Sequence, residues 1–372
     1  MTNQEEIRKQ LEYSNLLEWH EAGFTGKGYN LWNTEAPGGE DEHSEMVTIR
    51  VKHATPDCNV FEAGLEMSSN AEIIHYAHCT YKGIKYEVEE FIKKFNIKVI
   101  TRSIQGGASS GRADSKFWNE LKDRYNLTIF NCAGNIGSDG VSSAFPVDIS
   151  HQIAACGLSN GKPRRDSYSS IGEEVDFCNF RGFYNGTSFA APYTAGEAVL
   201  IKERYGDISD EEIFKYLCFI SEDMETVGKD TKTGYGIPVF PSIEKKYISM
   251  TVDQLNYFID GKELIMDTVP VNKEGNVFVP IRAISEGLGK IVVWDFNDDK
   301  SIKITITDDI NKVVLNTGSK VMFKNGMKVF LNFAPYVDDN NRTLVPIRAI
   351  AEAFGCKVDW IQGEQRVMIL EV

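Results

Sequence analysis

Two patterns of apolar and polar residues, one typical of strands and one of helices, alternate along the first two-thirds of the chain. Short apolar runs typical of buried strands occur at 59–67, 97–104, 127–134 and 151–159. Longer segments with apolar residues at helical spacing occur at 86–96, 115–125 and 190–205. Strands that alternate with helices of about 10 to 15 residues predict βαβ units. We therefore expect an α/β domain over residues 1–245, built on a doubly wound, mainly parallel sheet with sites at the carboxyl ends of its strands.

The last third of the chain contains an internal repeat. NVFVPIRAISEGLGKIVVWD at 276–295 recurs as RTLVPIRAIAEAFGCKVDWI at 342–361. The matching residues keep one constant offset, in the pairs Pro280 and Pro346, Arg282 and Arg348, Gly289 and Gly355, Trp294 and Trp360. Each copy reads as a strand, a short helix that Pro begins and Gly ends, and a strand with Trp. We expect a second, smaller α+β domain over 250–372 made of two repeats, after a linker near 240–250.

Composition and charge narrow the function classes. A net charge of −14 argues against a nucleic-acid partner and against an anionic membrane surface. The chain has no apolar run of the ~18 residues that a spanning helix needs, and its N-terminus lacks the apolar core of a signal peptide. Seven scattered cysteines without CxxC spacing indicate reduced thiols. We therefore expect a cytoplasmic location, no metal site and no cofactor, while a structural calcium site is not readable from the sequence.

One segment carries candidate chemistry. FYNGTSFAAPYTAGEAVLI at 183–201 places Ser188 two residues after a glycine, at the start of a helix rich in small residues. A nucleophilic serine needs open access, a base, and donors for an oxyanion. Free amide groups at a helix start can supply those donors. The alternative is a structural Ser N-cap on a tightly packed helix.

The segment GTSFAAP resembles the nucleophile signature of subtilisin-like serine proteases, and further matches follow in the family's order. They are TGKGYNLWNTE (25–35), HSEMV (43–47), ATPDCNV (54–60), SIQGGASSG (103–111), NCAGNIGSDG (131–140) and TGYGIPVF (233–240). The resemblance implies a subtilisin-like fold for the first region and peptide-bond hydrolysis.

Site roles follow from that resemblance. Ser188 would attack the scissile carbonyl, His43 would be general base and then general acid, and Asn135 would donate its amide to the oxyanion. Edge backbone for an extended peptide would come from Ser103, Ile104, Gln105, Gly106, Ala133 and Gly134.

The chain departs from the family's pattern at the third catalytic position. Asn33 stands where the family has Asp, and an amide cannot stabilise an imidazolium by charge. Glu35, two residues on, and Asp41, two residues before His43, are the acids that could substitute, with Glu35 preferred. Ser44 and Glu45 also replace the Gly-Thr that usually follows the histidine.

The repeats resemble the copper amine oxidase N-terminal-like domain, also called a stalk domain. No histidine follows His151, so we assign no copper site there. Arg282 and Arg348 could contact a ligand or pair with Glu286 and Glu352 four residues on. Trp294 and Trp360 are expected in the core. The resemblance implies assembly or attachment through this domain.

Two functions of different classes remain open. The first is a serine endopeptidase acting on a peptide or protein substrate. The second is a pseudoprotease that uses the same cleft to bind an extended peptide or a protein partner, which the loss of Asp at position 33 favours.

Overall fold

A computed structural model describes residues 2–35, 42–66, 78–104, 115–138, 140–141, 145 and 147–372, with the backbone but not the side chain of Glu286. The chain forms two compact units, Met1–Ile243 and Glu244–Val372. All seven cysteines are free thiols.

The first unit alternates helices with strands. Its helices are α1 Asn3–Tyr13, α2 Leu16–Glu21, α3 His43–Ala54, α4 Val88–Lys94, α5 Ser115–Tyr125, α6 Ala190–Tyr205 and α7 Asp210–Ile220, with a 3₁₀ turn at Thr187–Phe189. Its strands are β1 Asn30–Asn33, β2 Asn59–Glu62, β3 Gly64–Glu66, β4 His78–Tyr81, β5 Ile84–Glu87, β6 Val99–Arg102, β7 Thr128–Cys132, β8 His151–Ser159, β9 Lys162–Arg165, β10 Val175–Phe180, β11 Ser221–Glu222 and β12 Ile237–Pro238.

A central sheet organises this unit. Its order is β10-β8-β7-β6-β1-β2, all parallel, with β9 antiparallel on β8. The predicted α/β class with a mainly parallel sheet is confirmed. The carboxyl ends of β1, β6 and β7 lie side by side because parallel neighbours end at the same edge, and this edge carries the candidate site.

Helices cover both faces of the sheet, as alternation along β1 shows. Trp32 packs in one apolar cluster with Phe91 of α4 and Trp118 of α5. The next residue, Asn33, points to the opposite face and donates hydrogen bonds to α3. Successive strand residues face opposite ways, so four residues of β1 are enough to anchor both layers.

The run at 59–67, predicted as a single strand, forms two. It leaves the parallel sheet after Glu62 and joins the antiparallel sheet β3-β4-β5 at Gly64. Beyond Glu62, the amides of Ala63 and Leu65 still donate to the carbonyls of Asn33 and Thr34, so the segment stays beside the end of β1 as it enters the second sheet.

The second unit is mostly strand with two short helices, α8 Ile281–Gly287 and α9 Ile347–Ala353. Its strands are β13 Tyr247–Thr251, β14 Asn256–Ile259, β15 Lys262–Ile265, β16 Val271–Lys273, β17 Asn276–Pro280, β18 Ile291–Phe296, β19 Ile302–Thr307, β20 Lys312–Asn316, β21 Val321–Lys324, β22 Met327–Phe330, β23 Tyr336–Val337, β24 Thr343–Pro346, β25 Cys356–Ile361 and β26 Arg366–Glu371.

The repeat in this unit is longer than its sequence signature, and its two copies exchange strands. One sheet has the order β15-β14-β13-β26-β25, and the other has the equivalent order β22-β21-β20-β19-β18. Each sheet therefore joins three strands of one copy to two of the other. In a third sheet β17 pairs with β24, and the equivalent residues Val279 and Val345 lie opposite each other. That register places a pseudo-twofold axis between the copies.

The two repeat tryptophans differ in burial. Trp360 is half-buried against the core, whereas Trp294 is 61% exposed. The expectation of a core position is therefore wrong for Trp294. Trp294 shares this exposure with its neighbour on the same face of β18, Phe296, which is 64% exposed, whereas Trp360 packs against the buried core.

Candidate active site

Ser188 lies in the 3₁₀ turn that leads into α6. The preceding Gly186 has φ 131°, a conformation that residues with a side chain rarely adopt. A Cβ placed on Gly186 would come no closer than 3.6 Å to its nearest neighbour, the Asn135 amide nitrogen. The glycine is therefore required by the backbone turn rather than by lack of space within the protein.

The hydroxyl of Ser188 is held by a second serine. Ser188 Oγ donates to the carbonyl of Ser103 at 2.9 Å, and Ser103 Oγ donates to the carbonyl of Ser188 at 2.7 Å. Ser103 directly follows β6, so this reciprocal pair joins the serine turn to the sheet edge. In this arrangement the hydroxyl hydrogen of Ser188 is directed to the Ser103 carbonyl.

His43 begins α3 and contacts an acid. Its Nδ1 lies 2.5 Å from Glu35 Oε2, and the Glu35 side chain is only 8% exposed. A carboxylate oxygen accepts a hydrogen bond, so the His43 tautomer that pairs with Glu35 Oε2 carries its hydrogen on Nδ1. The His43 ring also lies 5.3 Å from the ring of Phe189, the residue after Ser188. A carboxylate in contact with one ring nitrogen is the arrangement that orients a histidine base in nucleophilic catalysis.

Asn33 serves a different purpose. Its Nδ2 donates to the carbonyl of Ser44 at 3.0 Å and approaches the hydroxyls of Ser44 and Thr48 at 3.3 Å. Its Oδ1 accepts the amide of Glu35 at 3.2 Å. In the described part of the chain Asn33 therefore links β1 to α3 and positions Glu35, and it is Glu35 that contacts His43. Asp41 lies outside the described residues.

Arg102, which the sequence reasoning missed, supplies a buried positive charge beside this pair. It ends β6, and its Nη1 donates to Thr34 Oγ1 at 3.3 Å, one residue before Glu35. Burial lowers the pKa of Arg102 to about 10, against an opposing effect from the negative charge of Glu35. An arginine in a strand sequence usually indicates an exposed edge strand. Only the position of β6 inside the sheet could therefore have shown that Arg102 is buried beside the site.

Asn135 is fixed by the residue before the serine. Its Oδ1 accepts from the amide of Thr187 at 2.8 Å and from Thr187 Oγ1 at 2.9 Å. Because the carbonyl end is fully engaged, Nδ2 is oriented beside Gly186. Thr187 Oγ1 in turn accepts the amide of Gly134 at 3.1 Å. The side-chain amide nitrogen of Asn135 therefore lies beside Gly186, two residues before Ser188.

The predicted substrate-binding backbone is only partly described. Ile104 is 38% exposed next to Ser103, while Gln105 and Gly106 lie outside the described residues. The amide of Ala133 donates to the carbonyl of Ile153. Gly134 uses its amide on Thr187 and its carbonyl on Ser170. A bound peptide would therefore find fewer free backbone groups at Ala133 and Gly134 than the pattern suggests.

A buried arginine ties the histidine helix to the serine turn. Arg50, two turns after His43, is fully buried and donates to the carbonyls of Phe189 and Phe180. Its guanidinium also lies 4.5 Å from the ring centroid of Tyr193 on α6. Charged hydrogen bonds thus hold α3 to the serine turn and to the end of β10, and the Tyr193 ring adds a contact with α6.

The described residues contain no group of three or more His, Cys, Asp or Glu side chains placed to hold a metal ion. In the same part of the chain, no helix combines the length and the apolar character needed to cross a bilayer.

Sequence comparison finds relatives of this chain among known proteases. Subtilisin amylosacchariticus from Bacillus subtilis subsp. amylosacchariticus is 33% identical over 124 residues, which cover 30% of this chain and 32% of that protein. The thermostable alkaline protease of Halalkalibacterium halodurans is 28% identical over 131 residues, covering 32% and 35%. This chain is similar to the subtilisins. It spans about a third of the length of the curated relatives that it matches.

The subtilisin-like unit also aligns with solved protease structures. MycP1 with its N-terminal propeptide removed gives a TM-score of 0.45 at 15% identity, covering 62% of this chain and 95% of that one. The second unit matches a different family: residues 239–302 and 258–369 fit the model of the copper amine oxidase N-terminal domain.

Proposed function

We propose that the subtilisin-like unit is a serine peptidase in which Glu35 takes the place of the usual third catalytic residue. The observation that carries this proposal is the contact of 2.5 Å between Glu35 Oε2 and His43 Nδ1. It returns to the histidine the negative charge that Asn33 lacks.

The chemistry follows from the described atoms. Ser188 Oγ leaves the Ser103 carbonyl and attacks the substrate carbonyl while His43 Nε2 takes its proton. Glu35 stabilises the imidazolium that forms, and Asn135 Nδ2 donates to the oxyanion. His43 then gives the proton to the departing amine. A water molecule next attacks the acyl-enzyme while His43 takes its proton, and His43 returns that proton to Ser188 Oγ as the acid product leaves.

A second candidate function is peptide binding without efficient cleavage. Two observations favour it: Asn33 at the usual Asp position, and the Ser188 hydroxyl donating to Ser103 rather than being poised for attack. In that case the cleft would hold an extended peptide or protein partner.

Labelling with a fluorophosphonate probe separates the two candidates. The parent chain is compared with Ser188→Ala and Glu35→Gln, and cleavage of a casein substrate is followed in parallel. We expect labelling and cleavage that disappear in Ser188→Ala and slow strongly in Glu35→Gln. A parent chain that neither labels nor cleaves would contradict the peptidase proposal and leave peptide binding.

A further inference from the structure

The second unit contains two pockets at equivalent positions of its repeat. One lies against Pro280, Arg282 and Trp294, the other against Pro346, Arg348 and Trp360, and each has a volume of about 500 Å³. Every member of the first set stands at the same offset from its counterpart in the second. We call them the first pocket and the second pocket.

Each pocket needs both copies of the repeat. The first pocket is completed by Asn341 and Arg342, which precede β24, and the second by Gly275 and Asn276, at the start of β17. Gly275 and Asn276 are separated from Asn341 and Arg342 by the same offset that relates the two copies of the repeat. The pockets are therefore related by the pseudo-twofold axis at Val279 and Val345, and the strand exchange builds both at once.

Exposed aromatic rings line both pockets. In the first, Trp294 and Phe296 are 61% and 64% exposed, and their rings meet edge to face at 5.8 Å. In the second, Phe330 is 73% exposed and Trp360 is half-buried, its Nε1 donating to Gln362 Oε1 at 2.8 Å. Such rings offer flat apolar surfaces next to polar groups, which is typical of ligand sites rather than of a packed core.

The polar lining favours an uncharged ligand. Arg342 pairs with Asp267 at 2.6 Å in the first pocket, and Arg348 pairs with Glu352 at 3.6 Å in the second. Each of these two arginines therefore pairs with a carboxylate of its own pocket. The remaining charged side chain is Arg282 in the first pocket and Asp359 in the second, so the two linings differ in the sign of their charge, and a ligand common to both is best matched when it is uncharged. The second pocket adds the carboxamides of Asn276, Asn332 and Gln362, each of which can donate and accept hydrogen bonds.

We propose that the two pockets bind a neutral polysaccharide. A sugar ring has an apolar face that can stack on Trp or Phe, and hydroxyls that both donate and accept, so it matches the carboxamides. Two equivalent pockets in one chain also suit a ligand that is itself a repeat, because each pocket can take one segment of a polymer. The proposal does not depend on the proposed peptidase activity.

The test uses isothermal titration calorimetry on the full chain with Ser188→Ala, so that no probe is cleaved. The probes are cellohexaose and chitohexaose, two neutral β-linked hexasaccharides, and a neutral proline-rich decapeptide. We expect at least one hexasaccharide to bind with two sites per chain. Trp294→Ala and Trp360→Ala should each weaken one site about tenfold, the usual effect of truncating a central aromatic contact.

Val293→Ala is the matched control. Val293 lies on the same edge strand and is 60% exposed, but it pairs with Thr305 on the opposite face of the sheet from Trp294. It should leave binding unchanged. Absence of binding to both hexasaccharides overturns the proposal, and so does peptide binding that the two Trp variants abolish, because the pockets would then be peptide sites. Circular dichroism of each variant confirms that a loss of binding is not a loss of fold.

Discussion

Replacing Glu35 by Gln tests the charge that the site places behind His43. The substitution keeps the size of the side chain but removes its charge, and the new amide group can donate toward Nδ1. The Glu35 side chain is 8% exposed and 2.5 Å from Nδ1, so the contact is a charge-assisted hydrogen bond largely shielded from water. Such a bond is worth about 1.5–3 kcal/mol, which corresponds to a loss of about 10- to 150-fold in rate.

The loss is larger if the amide also selects the wrong tautomer of His43. The same acid-to-amide change in the Ser-His-Asp triad lowers kcat by about 10⁴. We therefore expect kcat of Glu35→Gln to fall between about 10-fold and 10⁴-fold below the parent, with little change in KM. Steady-state cleavage of a fluorogenic peptide measures both constants, and thermal unfolding checks the fold. Activity within about threefold of the parent, alongside an inactive Ser188→Ala, would refute the assignment of Glu35.

Three further predictions follow from the same contacts. Asn33→Asp should lower the free energy of unfolding by about 1–3 kcal/mol without raising activity, because a carboxylate would replace the donor that meets the Ser44 carbonyl. Urea unfolding measures the stability and the rate of probe labelling measures the activity, and labelling faster than that of the parent would contradict the prediction. Gly196→Ala should destabilise the protein by about 1–3 kcal/mol, although alanine has the better helix propensity. The reason is that the new Cβ would lie 2.8 Å from Ala54 Cβ and 3.0 Å from the Val51 carbonyl oxygen. An unchanged or higher melting temperature would show that α3 and α6 can separate without cost. Burial opposes ionisation of Asp210, but His151 and Lys122 hold the pKa of that carboxyl well below its ordinary value. A lowered pKa stabilises the fold above the unfolded-state value of about 4, and that contribution is lost as pH falls further. Asp210→Asn should therefore be less stable at pH 7 and approach the parent in acid, and a constant difference across pH would argue against it.

Much of the first unit could be predicted from local sequence. The segments at 115–125 and 190–205 form α5 and α6 with the predicted bounds, and the run at 151–159 forms β8. Their apolar periodicity is local, so it survives without knowledge of the partners. The run at 59–67 was predicted wrongly because its division depends on where β1 stops offering a partner.

The residue types of the candidate site could be predicted from the sequence, but the contacts between those residues could not. The sequence named both Asn33 and Glu35, but which of them meets His43 depends on how β1 ends and where α3 begins. The buried arginines Arg50 and Arg102 carried no local signal. Their partners are the carbonyls of Phe180 and Phe189 for the first and Thr34 for the second, all distant along the chain.

The sequence alone determined the α/β pattern, the motif around Ser188 and the existence of a repeat, because each is written in residues that are close along the chain. Tertiary structure decided that the two copies exchange strands, that Trp294 faces solvent while Trp360 is half-buried, and that Glu35 stands behind His43. The physical reason is common to all three. Strand pairing, burial and hydrogen-bond partners are set by segments far apart in sequence, and only packing brings them together.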